Sequence, residues 1–188
     1  MDALLTAFVG AALAEWGDRT QLFVIVLAAR FARPGAILAG LAVAALLNGL
    51  IASLGGVFIH DLVNTRALSL LVALALLMAA AGSLLRRRPP DIAAKWRTGA
   101  FLTAAGSLFL LEFGDKTQFL TFALAGRFDS IALTLAGATA GILIANAPAA
   151  VLGAALPKAV PVQPIRYAIA ALFIVAGFWV AVKALELA

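Results

Sequence analysis

Glu15-Trp16-Gly17-Asp18-Arg19-Thr20 lies inside an apolar N-terminal stretch, and Glu112-Phe113-Gly114-Asp115-Lys116-Thr117 lies inside an equally apolar stretch 97 positions later. Each is followed by a glutamine, Gln21 and Gln118. Carboxylates and a cation in a hydrophobic run are costly to desolvate, so they need partners or a ligand. On a helix, Glu15 and Asp18 share one face that Gln21 continues, and Glu112, Asp115 and Gln118 do the same. Brought together, the four carboxylates with nearby amide and hydroxyl oxygens form the donor set that hard divalent cations such as calcium, magnesium or manganese prefer. Zinc and copper fit poorly, because the chain has no Cys, one His (His60) and only Met1 and Met78 as methionines. The charges agree: four carboxylates give −4, Arg19 and Lys116 give +2, and the remaining −2 matches one divalent ion or two protons. Clustered carboxylates in a low dielectric are costly to keep ionised without a cation, so protons replace a departing metal and antiport is the expected mode.

Other readings of these residues are narrower. Glu15 with Arg19 and Glu112 with Lys116 can form i,i+4 salt bridges that merely bury charge, but such pairs leave Asp18 and Asp115 unexplained. Direct involvement of Arg19 and Lys116 in the site stays open beside that scaffold role. Thr20 and Thr117 point away from the polar stripe of an ideal helix and join the site only if the helix is distorted near its glycine. Trp16 and Phe113 read as packing residues. An intramembrane aspartyl protease would use Asp18 and Asp115 as a dyad, yet the residue three before each is Glu and a cation follows each. An exporter of an organic cation or amino acid is the other alternative, and it calls for a roomier pocket with an apolar wall.

The elements that hold these residues are set by composition. With 64% hydrophobic residues, 12% charged residues and a mean hydropathy of +1.08 over 188 residues, the chain is far more apolar than a soluble domain, in which about a quarter of residues are charged. It reads as an all-α integral membrane protein. Segments 3–29, 35–59, 66–85, 99–125, 131–156 and 165–185 are each long enough to span a hydrocarbon core of ~30 Å as a helix. Breakers separate them: Arg33-Pro34-Gly35, Pro89-Pro90, and Pro157, Pro161 and Pro164. The N-terminus has no basic run before its apolar stretch and is read as a retained helix rather than a cleaved signal.

Nine basic residues (Arg30, Arg33, Arg86, Arg87, Arg88, Lys95, Arg97, Lys158, Arg166) lie on one side of this layout, against Arg66, Arg127 and Lys183 on the other. The first set is expected in the cytoplasm with both termini outside, so the net charge of +5 is topogenic and calls for no nucleic-acid partner. Trp96 beside the basic run fits an interfacial anchor.

At the same offset of 97, Leu5-Thr6 matches Leu102-Thr103, Arg30-Phe31 matches Arg127-Phe128, and Leu38-Ala39-Gly40 matches Leu135-Ala136-Gly137. The expected fold is therefore six transmembrane helices as two three-helix repeats, 1–85 and 99–188, joined by a basic cytoplasmic connection, 86–98. Three is odd, so the copies have inverted topology, the architecture in which transporters place sites at the repeat interface. Gly17 and Gly114 are candidate hinges, since segments one and four exceed the minimum length. Gly40/Ala44 and Gly137/Gly141 read as close-packing pairs. Asn48 and Asn146, buried amides further along, either line the site or bridge helices.

The doubled Glu-x-Gly-Asp-(Arg/Lys)-Thr motif in a small six-helix chain resembles the signature of uncharacterised protein family 0016, which includes Golgi and bacterial manganese or calcium transporters and is grouped with the LysE-like superfamily. Both motifs match at every defined position, and the repeat covers most of the chain. The resemblance implies cation/proton exchange with Glu15, Asp18, Glu112 and Asp115 as ion-binding residues. Manganese or calcium is then the transported cargo, and no resident cofactor is expected. It also implies a bacterial inner-membrane location with efflux from the cytoplasm. The partners are then the metal ion, protons and the lipid bilayer, with no oligomeric state assigned.

Overall fold

The structure, a computed structural model, describes residues 1–85 and 96–186, and every regular element among them is helical. In order these are α1 (Asp2–Glu15), α2 (Arg19–Phe31), α3 (Pro34–His60), α4 (Thr65–Leu84), α5 (Ala100–Glu112), α6 (Lys116–Phe128), α7 (Ile131–Leu152), a 3₁₀ turn (Gly153–Ala155), α8 (Leu156–Ala159) and α9 (Val162–Glu186). Arg86 to Arg88, Lys95 and Pro89-Pro90 of the basic connection lie outside the described residues.

Four helical stretches, Pro34–His60, Thr65–Leu84, Ile131–Ala159 and Val162–Leu185, are long and apolar enough to cross a membrane. The distribution of polarity is inside-out. Phe58, Val151, Val175, Phe178 and Trp179 are exposed, whereas Glu15, Asp18, Glu112, Asp115 and Lys116 are buried. A soluble protein rarely leaves so much contiguous apolar surface uncovered. This is the surface of an integral membrane protein, with lipid as the solvent.

The first and fourth segments are not single helices. Each is two half-helices, α1 with α2 and α5 with α6, separated at Trp16-Gly17-Asp18 and Phe113-Gly114-Asp115. Gly17 has φ +70° and Gly114 φ +75°, a left-handed backbone that stops an α-helix and that glycine adopts without steric cost. Of the breakers named from the sequence, Pro34 is the first residue of α3 and Pro161 separates α8 from α9. Pro164 breaks nothing. It sits in the first turn of α9, where a missing N–H goes unnoticed, and that helix starts earlier than expected. The fifth segment is interrupted rather than continuous, because α7 ends at Leu152 and the chain turns through Gly153 at φ +51° before α8. Trp96, read as an interfacial anchor, has its ring against Gly106.

The half-helices pack across the two copies of the motif: α1 lies on α7, and α5 on α3. Small residues allow this. A Cβ at Gly40 would stand 2.7 Å from Phe101 O and 2.8 Å from Ala105 N, while one at Gly137 would meet the Leu4 carbonyl and stand 3.1 Å from Phe8 N. Leu4 and Phe8 are the residues 97 positions before Phe101 and Ala105, so the same contact is built twice. Gly40→Ala and Gly137→Ala are each expected to destabilise the protein by about 1–3 kcal/mol through overpacking against rigid backbone. Thermal denaturation in detergent reads this directly, and unchanged midpoints would refute the close approach.

Candidate functional site

Each break is held by its own glutamine. The Gly17 N–H donates to Gln21 Oε1 at 3.0 Å, and Gln21 Nε2 donates to Ala145 O of α7 at 2.7 Å. Likewise the Gly114 N–H donates to Gln118 Oε1 at 2.6 Å, and Gln118 Nε2 donates to Asn48 O of α3 at 3.1 Å. Gln21 and Gln118 thus use their amides to satisfy interrupted backbone and to tie each break to the facing long helix. They brace the site rather than extend the carboxylate stripe, as the spacing had suggested.

Breaking the helices puts their charged residues at half-helix termini. Glu15 and Glu112 end α1 and α5, and Asp18 and Asp115 precede the first residues of α2 and α6. Glu15, Asp18 and Asp115 each offer an oxygen within 4.8 Å of the others, all three buried. Three buried carboxylates so close are a metal-holding geometry, and the positive ends of α2 and α6 help to hold the negative charge.

Glu112 is placed differently. It is buried, and neither carboxylate oxygen has a hydrogen-bond partner among the described residues. It borders a cavity of about 10 Å³, room for one water-sized particle, together with Asn48, Thr117, Gln118 and Thr121.

Both cations reach across the motif copies, and Lys116 also touches the aspartate of its own copy. Arg19 Nη2 lies 2.7 Å from Asp115 Oδ1. Lys116 Nζ donates to Asp18 Oδ2 and stands 3.4 Å from Asp115 Oδ2. The expected i,i+4 pairs Glu15–Arg19 and Glu112–Lys116 are absent among the described ion pairs, because the break at each glycine removes the helical turn that would align them. An ammonium between Asp18 and Asp115 also leaves no proton-sharing aspartyl dyad.

The distortion brings in a threonine: Thr117 Oγ1 donates to Glu15 Oε1 at 2.6 Å, again across copies. Thr20, its counterpart, is buried at the start of α2. The two asparagines differ. Asn48 Nδ2 donates to Phe109 O of α5 at 3.1 Å, so it bridges helices and also borders the Glu112 cavity. Asn146 Nδ2 donates to Ile142 O of its own helix at 2.9 Å, and its buried Oδ1 has no partner among the described residues. Trp16 packs against the buried cluster of Ala14, Ala79, Ala80, Ile169 and Phe173, and Phe113 is exposed.

Access to the two breaks is unequal. A cavity of about 420 Å³ reaches Gly114, Asp115 and Gln118 between α3 and α6, and a Cβ at Gly114 would meet nothing within 4 Å. At Gly17 a Cβ would stand 2.5 Å from Arg166 Cδ and 2.8 Å from Val162 Cγ1, so the first turn of α9 covers that break. Arg166 Nη2 is itself fixed to Leu85 O at the end of α4. Sequence reasoning counted Arg166 only as a topogenic charge; no spacing signal links it to Gly17.

The profile of the family described as divalent cation/proton antiporter GDT1 matches residues 3–90 and 100–188. A Vibrio cholerae serotype O1 protein named "Putative manganese exporter" is 31% identical over 175 residues, covering 93% of this chain and 88% of that protein. No solved structure matches the chain. The doubled match, which breaks in the connection between the two motif copies, and the similarity along nearly the whole length place this chain in the GDT1 family of divalent cation/proton antiporters.

Proposed function

We propose that this antiporter exports manganese from the cytoplasm in exchange for protons, through one site built where two inverted three-helix repeats, 1–85 and 99–188, meet. The observation that carries the reading is the buried meeting of Glu15, Asp18 and Asp115, contributed by both motif copies, with oxygens within 4.8 Å. Glu112, across the second break from Asp115, completes the acidic set. The relative named for manganese export supports the choice of cargo, and calcium accepts the same oxygen donors. A transporter, not an enzyme, follows from the family. The six spans are α3, α4, α7 and α9 with the half-helix pairs α1/α2 and α5/α6, each pair crossing once; the basic count sets the termini outside a bacterial inner membrane.

Lys116 and Arg19 act as tethered counter-ions. When no metal is bound they hold the acidic residues of the opposite repeat, and an arriving divalent cation displaces them. The cavity at Gly114 and the cover at Gly17 fit a state open toward one side, and rearrangement at the two breaks exchanges the roles, as alternating access requires.

Purified protein in proteoliposomes tests the coupling. An opposing proton gradient should drive manganese accumulation, and manganese entry should move protons outward. Manganese flux indifferent to the gradient would sink the exchange mechanism, and a calcium-only flux would reassign the cargo. The tethered-cation role has its own check. Lys116→Met removes a buried charge partner and is expected to cost about 3–5 kcal/mol of stability in chelator. Added manganese should then raise the denaturation midpoint more in this variant than in the wild type; an equal shift would exclude displacement of Lys116 by the ion.

A further inference from the structure

Arg127, near the end of α6, and Lys183, in the last turn of α9, border one cavity of about 320 Å³ that also exposes the hydroxyls of Thr6 and Ser69. The Lys183 ammonium lies 5.4 Å from the Trp179 ring centroid, an amphipathic arrangement suited to a membrane interface. A second cavity, about 510 Å³ and without a charged lining residue, shares Thr6, Val72, Leu124 and Val180 with the first. The two form one crevice between α1, α4, α6 and α9, with a cationic mouth and an apolar shaft.

The shaft continues inward. Leu13 and Leu172 line it and also line a third cavity that reaches Trp16, beside the first break. From Thr6 to Trp16 is ten residues of α1, or roughly 15 Å at the helical rise per residue. That is the length of one leaflet's acyl layer, half of a hydrocarbon core of ~30 Å. Orientation does not account for the mouth. Only Arg66, Arg127 and Lys183 fall on this side in the sequence count, and two of those three border the same cavity.

We propose that this crevice binds one anionic phospholipid, its phosphate at Arg127 and Lys183 and an acyl chain along the shaft toward Trp16. The occupant is a lipid rather than a soluble phosphate, because the apolar shaft continues directly from the cationic mouth. Arg127 and Lys183 give the mouth its cationic groups, which complement an anionic headgroup. The site is separate from the carboxylates that carry exchange.

Trp16→Phe with Trp96→Phe leaves Trp179 at the mouth as the sole tryptophan and a direct reporter. Reconstituted with brominated phosphatidylglycerol, this protein should reach half-maximal Trp179 quenching at a lipid fraction about thirtyfold lower than with brominated phosphatidylcholine, the scale expected for two interfacial cations. Arg127→Gln with Lys183→Gln should remove the preference, and Arg66→Gln, which lies outside the cavity, should keep it. Native mass spectrometry of the unmutated, delipidated protein gives a second reading that needs no variant: phosphatidylglycerol adducts should form well before phosphatidylcholine adducts. Equal quenching by the two lipids, equal adduct formation, a preference that survives the double substitution, or loss of preference in Arg66→Gln would each overturn the site.

Discussion

Asp18→Asn and Glu15→Gln are each expected to lower divalent-cation affinity at least about a hundredfold, or ~2.7 kcal/mol, and to abolish exchange. Both residues belong to the set of three whose oxygens lie within 4.8 Å of one another. Removing one charge from a buried, hydrogen-bonded set costs more than its direct attraction, because the groups left behind keep their desolvation. Asp18→Asn also removes the negative charge that faces Lys116, and Glu15→Gln the carboxylate that Thr117 reaches. Glu112→Gln should weaken binding less than about tenfold, since its oxygens face the small cavity with Asn48 and Thr121 and have no hydrogen-bond partner among the described residues to lose. Calorimetric titration with manganese ranks the variants. Equal losses for Glu112→Gln and Asp18→Asn would mean that all four carboxylates close on the ion together.

Gly17→Ala is expected to destabilise the protein more than Gly114→Ala. The left-handed backbone at φ +70° costs a residue with a Cβ about 1–2 kcal/mol. The new Cβ would also stand 2.5 Å from Arg166 Cδ and 2.7 Å from its Cγ, adding about 1–3 kcal/mol of overpacking. Gly114→Ala carries only the backbone cost, because nothing lies within 4 Å of its Cβ position. The two substitutions, symmetric in sequence, should therefore differ in denaturation midpoint, with Gly17→Ala the lower. Arg166→Ala should recover part of the difference, since the Val162 Cγ1 contact at 2.8 Å remains, and none of the shared backbone cost. Both glycine variants should slow exchange more than they weaken manganese binding. Identical midpoints would refute the cover over Gly17, and unchanged turnover in both would refute rearrangement at the breaks.

These two predictions also mark where the sequence stops. Charged residues in hydrophobic runs reveal their own expense, so the acidic residues, the lipid solvent and the repeat at an offset of 97 were all readable without coordinates. Pairing was not. Spacing along one helix suggested Glu15 with Arg19 and Glu112 with Lys116, whereas the observed pairs are Arg19 with Asp115 and Lys116 with Asp18. A helical glycine is compatible with either a close-packed helix or a broken one, and Gly40 and Gly137 are the first kind while Gly17 and Gly114 are the second. Only backbone dihedrals separate them.

Sequence by itself determined which residues must be satisfied inside the membrane and that they come in two equivalent sets. Tertiary structure decided how they are satisfied: glutamines spent on the breaks, Thr117 turned onto Glu15, Glu112 set apart, and α9 laid over Gly17 but not over Gly114. The physical reason is that burial cost is a property of each residue, while partners are fixed by the approach of elements far apart in the chain.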